Sequence, residues 1–396
     1  MTKIVHFGPG NFFRAHLAEY TADTTGWTIT AVSLRSSTFR DVWQARQTYT
    51  LLVHGQDTRA VDVISEVLVA PEDPKAVFDA LCDPDTQVIS ATVTEKGYHL
   101  DAKGMLDLSS PEIAADVKSG TPTTLIGYLA HGLARRALPV TVLSCDNRVG
   151  NGDALSGAVQ DFARAAGLHI TCAVTFPNSM VDRITPATTQ ELIDQTDDPL
   201  VVACEPFKEW VIEDRFAGET PDWPGVQWVD DVAPHELRKL RMLNGAHSFL
   251  AYAGVMAGHT YVHQAIADPV LRKGTTDLMA EAAETLPDVV QGQVAQYAKD
   301  LLTRFQNPEI RHELRQIAMD GSQKLLYRCI AVIRARGAAR APANLNVLRV
   351  WIDVLRADIA QGVELHDPRA HDLRAASTDA DFLAVVGAED LSDALG

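Results

Sequence analysis

Short apolar runs alternate with helical patterns along the first half of the chain, and this alternation most constrains the fold. Four runs have the composition of buried strands, namely Ile4–Gly8, Thr28–Leu34, Gln87–Thr94 and Val140–Ser144. Between the last two, apolar residues recur at helical spacing over Thr123–Arg136. Strands that alternate with helices are typical of βαβ units, so the sequence predicts an α/β domain with a mostly parallel sheet.

The second half of the chain has a different texture, which begins at about Pro234. Five segments show helical periodicity: Glu236–Gly258, Asp268–Thr285, Val289–Phe305, Arg311–Arg336 and Asn344–Gln361. No strand pattern intervenes, and the Pro- and Trp-rich stretch Gly218–Gly225 indicates a loop that closes the first half. We therefore expect an α/β domain over residues 1–232, followed by an all-α domain over residues 233–396.

Charge and composition limit the partners of the chain. A length of 396 residues, 46% of them hydrophobic, suits two domains. The balance of 35 basic and 52 acidic residues is 35 − 52 = −17, and no run of Lys and Arg interrupts it. We therefore expect no nucleic-acid or membrane partner. The sequence leaves the oligomeric state open between a monomer and a small homo-oligomer, and the only partner expected is a small-molecule substrate.

The termini and cysteines favour an ordinary reduced, cytoplasmic protein. The chain enters a strand pattern directly after Met1, without the charged and apolar segments of a secretory signal, and it contains no bilayer-length apolar run. The cysteines are odd in number and irregularly spaced, at Cys82, Cys145, Cys172, Cys204 and Cys329. Such spacing argues against a disulfide framework and against a structural zinc site.

A glycine-containing turn follows the first predicted strand, in the sequence Gly8-Pro9-Gly10-Asn11-Phe12-Phe13-Arg14. Glycines at this position of a Rossmann-like domain let backbone N–H groups approach a pyrophosphate, which the following helix N-terminus also attracts. Arg14 could reach a phosphate as well. The fingerprint is incomplete, because Phe13 stands where a third small residue is expected. An ordinary strand-to-helix turn that needs glycine is the alternative.

The end of the second predicted strand leaves the choice between NAD and NADP open. NAD-binding proteins of this type often carry an acidic residue there, on the ribose hydroxyl. This chain instead has Ser33-Leu34-Arg35-Ser36. Arg35 and Ser36 could meet a 2′-phosphate, or Arg35 could simply be solvated.

Polar side chains cluster where the helical half begins. At about 100° per residue, Glu236 and His247 lie near 60° and 80° from Lys239, and Asn244 near 140°. Burying an amine, an amide, an imidazole and a carboxyl without a purpose is unfavourable. A solvated polar face is the alternative, and helix geometry alone does not decide between the two.

This set of groups suits alcohol oxidation, in which a hydride leaves carbon as the hydroxyl proton is removed. A lysine such as Lys239 can be the base if burial and neighbouring cations lower its pKa. Asn244 could donate to the developing oxyanion. His247 could orient the substrate oxygen, and Glu236 could relay the proton to water.

The chain resembles the polyol-specific long-chain dehydrogenases, a family that includes mannitol 2-dehydrogenase, arabinitol dehydrogenase and the fructuronate and tagaturonate reductases. The resemblance covers nearly the whole chain. It rests on the Gly8–His16 turn, on Lys239, Asn244 and His247 at their spacing, and on four further segments: Thr94–Tyr98, Ser144–Asn147 with Asn151-Gly152, Phe176–Arg183 and Gln316–Lys324.

The resemblance implies a metal-independent oxidoreductase that interconverts a sugar alcohol and its ketose, with Lys239 as general acid/base and Glu236 on the proton path. Asn147 and Asn244 would hold the reacting oxygen, and Asp182, His247 and Lys324 would bind the substrate. NAD, or else NADP, would be the cofactor. The residues implied around it are Gly8, Gly10, Asn11, Phe12, Arg14, Ser33, Arg35 and Glu95. The site is expected where the first turn of the helical domain faces the nicotinamide.

The sequence departs from the family in two ways that leave the substrate open. Members are often longer, and long polyol enzymes commonly carry an arginine where this chain has Gln316. A fructuronate or tagaturonate reductase, which acts on a hexuronate, is therefore the main alternative; a sugar phosphate is a weaker one. Asp182 and Arg183 could also pair with each other. The spacing of His259 and His263 suggests a zinc enzyme only weakly, and a catalytically silent dinucleotide sensor is a further alternative.

Overall fold

The computed structural model describes residues 1–395, with the side chain of Glu95 outside the described part. The chain divides into two compact units, Met1–Ala233 and the residues from Pro234 onward. Among the described residues, no helix combines the length and the apolar character needed to cross a bilayer.

A parallel sheet forms the centre of the first unit. The strands of this unit are β1 (Thr2–Phe7), β2 (Trp27–Ser33), β3 (Tyr49–Val53), β4 (Arg59–Val61), β5 (Ile64–Val69), β6 (Thr86–Ala91), β7 (Val140–Ser144), β8 (Val174–Thr175), β9 (Ser179–Asp182), β10 (Val202–Cys204), β11 (Glu209–Glu213) and β12 (Gln227–Val229). The main sheet has the order β5-β2-β1-β6-β7-β8, and its neighbouring strands are all parallel. Counted within that sheet, the order is 3-2-1-4-5-6, as in Rossmann domains.

Both faces of the main sheet are buried, as a parallel sheet requires. Ile4 packs into one apolar cluster and its neighbour Val5 into a second, and Val88 and Ile89 divide in the same way. Successive side chains of a strand point to opposite faces, so these pairs show a core on each side of the sheet. The predicted α/β Rossmann-like class and the mostly parallel sheet are confirmed.

Helices of the first unit cover this sheet. They are α1 (Asn11–Ala15), α2 (Leu17–Ala22), α3 (Thr38–Arg46), α4 (Pro74–Cys82), α5 (Pro111–Ser119), α6 (Leu125–Arg135), α7 (Asn151–Ala166) and α8 (Gln190–Thr196), with a 3₁₀ turn at Glu95–Tyr98. Two small sheets, of orders β10-β3-β4 and β12-β11-β9, contain both parallel and antiparallel pairs. The predicted loop Gly218–Gly225 contains no regular element.

The second unit is helical, and the predicted all-α class is confirmed over its described residues. Its helices are α9 (Ala233–Arg238), α10 (Gly245–Met256), α11 (Val262–Ala267), α12 (Pro269–Ala283), α13 (Asp288–Phe305), α14 (Leu314–Ile317), α15 (Gly321–Leu325), α16 (Ala331–Arg336), α17 (Pro342–Ala360), α18 (Ala370–Ala375), α19 (Asp379–Val385) and α20 (Ser392–Leu395). Short 3₁₀ turns lie at Ala338–Arg340 and Glu389–Leu391. Segments Lys239–Asn244 and Leu326–Ile330 are π-helices.

Helix α10 is the central element of this unit. Every residue from Gly245 to Gly254 is buried, and α10 contacts α11, α12, α14 and α17. A helix that is apolar on all sides is stable only when other elements surround it, which explains this position. The single helix predicted over Arg311–Arg336 is wrong in one respect, because Asp320 adopts a left-handed conformation (φ 57°) and separates α14 from α15.

Candidate active site

The turn after β1 places Gly8 against the end of β6. Gly8 has φ +90°, and a Cβ atom built on it would lie 2.2 Å from the Thr92 carbonyl oxygen. Glycine is therefore required here by both backbone conformation and space. The turn lies where the strand order of the sheet reverses, between β1 and β6. In open α/β sheets, this switch point is where ligands bind.

Phe13, the departure from the glycine fingerprint, has a structural explanation. Its ring stacks on the buried His6 ring, with centroids 3.8 Å apart. His6 Nε2 lies 3.3 Å from the Gly8 carbonyl, which can only accept a hydrogen bond, so Nε2 carries the proton and Nδ1 accepts from Ser90 Oγ at 2.8 Å. Burial lowers the pKa of His6 to about 3. The neutral His6 side chain therefore supports the turn, through its stacking on Phe13 and its hydrogen bond to the Gly8 carbonyl.

Arg14 and Asn11 lie together at the start of α1. The buried Arg14 guanidinium donates to Asn11 Oδ1 at 2.6 Å and to the Leu200 carbonyl, and Asn11 Nδ2 donates to Thr188 Oγ1 at 3.0 Å. Burial lowers the pKa of Arg14 to about 10. These contacts hold Arg14 inside the first unit, and its contact with a cofactor phosphate stays a prediction.

The remaining predicted cofactor residues are distributed around the first unit. Phe12 stacks on His16, with ring centroids 4.9 Å apart. Ser33 Oγ donates to the Ser36 carbonyl at 2.7 Å, and Arg35 is exposed. Glu95 is also a predicted cofactor residue, and its side chain lies outside the described part of the structure.

Two of the family-like segments meet at the end of β7. The Tyr98 hydroxyl donates to Asp146 Oδ2 at 2.8 Å and lies 2.5 Å from Ser144 Oγ. Burial, together with the charge of Asp146, raises the pKa of Tyr98 well above its ordinary value. This buried network anchors the residues on either side of Cys145, and Asn147 is exposed directly after it.

Asn151, at the start of α7, joins the segments that carry Asn147 and Asp182. Its amide donates to the Asp146 carbonyl at 3.0 Å and to the Ser179 carbonyl at 2.8 Å, and its oxygen accepts from the Ser179 N–H at 2.9 Å. The side chain is fully buried. Within the first unit, the fold therefore ties the turn before Asn147 to the strand that ends at Asp182.

Asp182 is buried at the end of β9, opposite Glu209 of β11. The alternative that Asp182 pairs with Arg183 is wrong, because Arg183 has other partners. Its guanidinium instead binds Glu19 and the carbonyls of Ala15 and Glu205.

Lys239 begins a π-helix, and this changes the geometry predicted for the cluster. The α-helical estimate places Asn244 about 140° from Lys239, but a π-helix bonds residue i to residue i+5 and so aligns these two residues one turn apart. Lys239 is only 9% exposed and Glu236 only 8%. The solvated polar face is therefore wrong for both. π-Turns inside α-helices occur frequently at functional sites.

His247 lies one turn beyond Asn244, in α10. Its buried ring contacts Phe305 at a centroid distance of 4.8 Å and meets the His312 ring edge-on at 5.2 Å. Burial lowers the pKa of His312, which favours its neutral form. His312 lies just before α14, at the start of the segment predicted to be helical, and the sequence analysis did not single out this second imidazole.

Lys324 projects from α15 on a separate segment of the second unit. Its Nζ donates to the Met319 carbonyl at 2.6 Å and lies 3.6 Å from Asp320 Oδ2. Burial and, next, the charge of Arg328 lower the pKa of Lys324. Arg328, which the sequence analysis missed, connects this segment to the first π-helix, because its Nη1 donates to the Asn244 carbonyl.

Comparison with known proteins defines the family. A model described as the mannitol dehydrogenase Rossmann domain matches residues 2–225, and one described as the mannitol dehydrogenase C-terminal domain matches residues 231–390. The chain therefore belongs to the mannitol dehydrogenase family. The resemblance seen in the sequence motifs is confirmed, and the relatives are dehydrogenases and oxidoreductases.

Three relatives show how far the similarity extends. D-mannonate oxidoreductase of Escherichia coli is 40% identical, over 84% of this chain and 75% of its own length. Mannitol 2-dehydrogenase of Phaeosphaeria nodorum is 36% identical, over 96% of this chain and 73% of its own length. The solved ternary complex of Pseudomonas fluorescens mannitol 2-dehydrogenase with NAD and D-mannitol is 31% identical, covering 99% of this chain and 86% of that one, with a TM-score of 0.78.

Proposed function

We propose that this chain is a metal-independent dehydrogenase that interconverts a sugar alcohol and its ketose, with NAD as the cofactor. The observation that carries the proposal is Lys239, which is 9% exposed in a π-helix that aligns it with Asn244. Burial of an amine beside an amide and the nearby imidazole of His247 suits acid–base chemistry on a hydroxyl. Family membership and the NAD and mannitol of the Pseudomonas fluorescens complex support this assignment.

The first unit fits the proposed cofactor at the turn after β1. Gly8 closes this turn against Thr92 so tightly that a Cβ has no room, whereas a Cβ at Gly10 would lie 4.0 Å from its nearest neighbour, the Gly8 carbonyl oxygen. A pyrophosphate could therefore approach the backbone at Gly10 and Asn11. When bound, NAD accepts the hydride that leaves the carbinol carbon. Arg14 would then support the turn from within the core.

Proton transfer would be the task of Lys239. In oxidation, the carbinol C–H bond breaks as hydride leaves, the hydroxyl proton passes to Lys239 Nζ, and the remaining electron pair completes the C=O bond. The side-chain amides of Asn244 and Asn147 would donate hydrogen bonds to the oxygen, whose negative charge is greatest in the transition state. His247 would orient this oxygen, and Glu236 would pass the proton from Lys239 to water. Reduction of the ketose follows the same steps in reverse.

A hexuronate substrate is the second candidate, because one group of cations favours it. Lys324 and Arg328 lie one helical turn apart, and their side chains interact electrostatically. Two neighbouring cations could bind the carboxylate of an aldonate, and D-mannonate oxidoreductase is among the relatives. Asp182 would then bind substrate hydroxyls in either reaction.

Substitution of Lys239 tests the mechanism. We expect Lys239→Ala to retain NADH binding and to lose about 10²–10⁴-fold in kcat, the range for a general acid or base. Lys273→Ala is the matched control, because Lys273 is exposed and pairs with Asp277, one turn away. The mechanism would be refuted by near wild-type turnover in Lys239→Ala.

A substrate panel separates the two candidate reactions. The panel contains mannitol, sorbitol, arabinitol, xylitol, mannonate and altronate, each assayed with NAD and with NADP. Higher kcat/KM on a polyol supports the polyol dehydrogenase, and higher kcat/KM on an aldonate supports the hexuronate reductase. Inactivity on every compound, combined with tight NADH binding, would instead favour the redox sensor.

A further inference from the structure

Arg328 makes a set of contacts that the proposed chemistry does not yet use. It lies in the π-helix Leu326–Ile330, which contacts the π-helix of Lys239. Its Nη1 donates to the Asn244 carbonyl at 3.3 Å and to Ser248 Oγ at 3.1 Å. Arg328 is half-buried, and Ser248 is only 2% exposed.

These two acceptors lie on either side of His247. Asn244 ends the π-helix, and Ser248 lies in the first turn of α10, so Arg328 spans the junction of the two helix types. A carbonyl oxygen has two lone pairs and can accept from Arg328 in addition to a helix hydrogen bond. One charged group therefore fixes the backbone before His247 and the side chain after it.

The junction needs support because its two helix types have different turns. A π-helix has a wider turn than an α-helix and is stable only in short segments. A change in either turn would rotate Asn244 relative to His247, since they lie on opposite sides of the junction. Hydrogen bonds from an ionised donor are about twice as strong as neutral ones, which suits Arg328 to this task.

The positive charge of Arg328 also reaches the neighbouring candidate substrate residue. It contributes, after burial, to the lowered pKa of Lys324, while Asp320 and Asp367 act in the opposite direction. Arg328 is therefore coupled to residues on two segments, Asn244 in the first π-helix and Lys324 in α15.

We propose that Arg328 is a positioning residue for the reaction, which holds the Asn244–Ser248 turn so that Asn244 and His247 meet the substrate oxygen together. This inference rests on the proposed function of those two residues. It assigns no chemical step to Arg328, whose contribution is to geometry.

Three measurements on the full chain test this role. Arg328→Ala should lower kcat by about 10- to 100-fold, as a small misplacement of reacting groups does, with little change in the Kd for NADH. Added guanidinium ion should restore part of the lost kcat, because it replaces the missing donor. Arg328→Lys should retain more activity than Arg328→Ala, since an ammonium group still donates to the carbonyl.

The control is Arg334→Ala, which removes an arginine from the adjoining helix α16 whose partners are Asp390 and the Gly387 carbonyl. We expect it to leave kcat unchanged. The positioning role is overturned if Arg328→Ala keeps kcat within about twofold of wild type. It is also overturned if Arg328→Lys loses as much as Arg328→Ala and guanidinium restores neither. If Arg328→Ala does not fold, Arg328→Met, which keeps the length of the side chain but has no donor, replaces it in the same comparison.

Asn244→Ala separates this inference from the function on which it rests. Loss of kcat in Asn244→Ala with retention in Arg328→Ala contradicts the positioning role alone. Retention of kcat in Asn244→Ala contradicts the proposed function itself.

Discussion

Gly8 and Gly10 are expected to serve different purposes. Gly8 is required by the fold, whereas Gly10 leaves room for the cofactor. A Cβ at Gly8 would lie 2.2 Å from the Thr92 carbonyl oxygen, whereas at Gly10 it would meet only the Gly8 carbonyl, at 4.0 Å. We expect Gly8→Ala to destabilise the protein without cofactor by at least about 1–3 kcal/mol, through strain at positive φ and the overlap. Gly10→Ala should change stability little and instead weaken NADH binding, because its methyl group would face the pyrophosphate.

Urea unfolding without cofactor and fluorescence titration with NADH check both expectations. The assignment of the turn to the cofactor would be wrong if Gly10→Ala bound NADH as tightly as the wild type. Equal stability of Gly8→Ala and wild type would contradict the packing of the turn against β6.

His6 gives the protein a specific dependence of stability on pH. Burial lowers the pKa of His6 from 6.5 to about 3. Between these values the unfolded chain binds a proton that the native state does not, so the free energy of unfolding falls as the pH falls. The contribution of one such group is about 1.4 kcal/mol per pH unit.

His6→Gln should remove this contribution and make the pH dependence shallower by about one proton. Urea unfolding at a series of pH values between about 7 and 4.5 measures this slope. His371→Gln is the control, since the His371 side chain is 98% exposed. Identical slopes in His6→Gln and wild type would show that His6 is not held neutral.

At the scale of elements, Asn151 in the first turn of α7 connects two segments that carry proposed site residues. Its amide joins the segment before Asn147 to β9. We expect Asn151→Ala to destabilise the protein by about 2–4 kcal/mol, because several buried hydrogen-bonding groups lose their partner. It should also lower kcat, since the turn that carries Asn147 loses its support.

Gln160→Ala is the matched control on the same helix, where Gln160 is exposed and donates to Ser156. Thermal unfolding and steady-state kinetics of the two variants measure both effects. A fully stable Asn151→Ala variant would contradict the role given to this amide.

The elements also show what sequence patterns can predict. The strands β1, β2, β6 and β7 are runs of five to seven residues in the main sheet, and the sequence predicts each to within three residues at either end. The strands of the two small sheets, and β8, were missed because they have at most five residues, too few for a period to emerge. The six-residue β5 was also missed, because the exposed Ser65 and Glu66 interrupt its buried residues. The π-helix at Lys239 was missed for another reason, since its residues are those of an ordinary helix and the wider turn depends on tertiary packing.

At the scale of the whole molecule, the change in sequence texture near Pro234 coincides with the division into compact units after Ala233. Such agreement has a physical cause, because strand and helix periods reflect different modes of burial. The periods of the sequence could not show which of the proposed catalytic and binding residues lie together. Asn147 and Asp182 are 35 residues apart and are joined through Asn151, whose hydrogen bonds no period reveals.

The final prediction concerns the whole protein and its independence of metal ions. Among residues 1–395, apart from the side chain of Glu95, no group of three or more His, Cys, Asp or Glu side chains is arranged to hold a metal. His259 precedes α11 and His263 lies within it, with its ring against Tyr261, so the two do not share a helix face as a zinc-binding pair would. We expect exhaustive chelation to leave kcat and the midpoint of thermal unfolding unchanged, because Lys239 rather than a metal would take the hydroxyl proton. Recovery of a lost activity by added Zn²⁺ would contradict this expectation and return the zinc mechanism to consideration, whereas a loss that no metal restores would indicate damage to the protein.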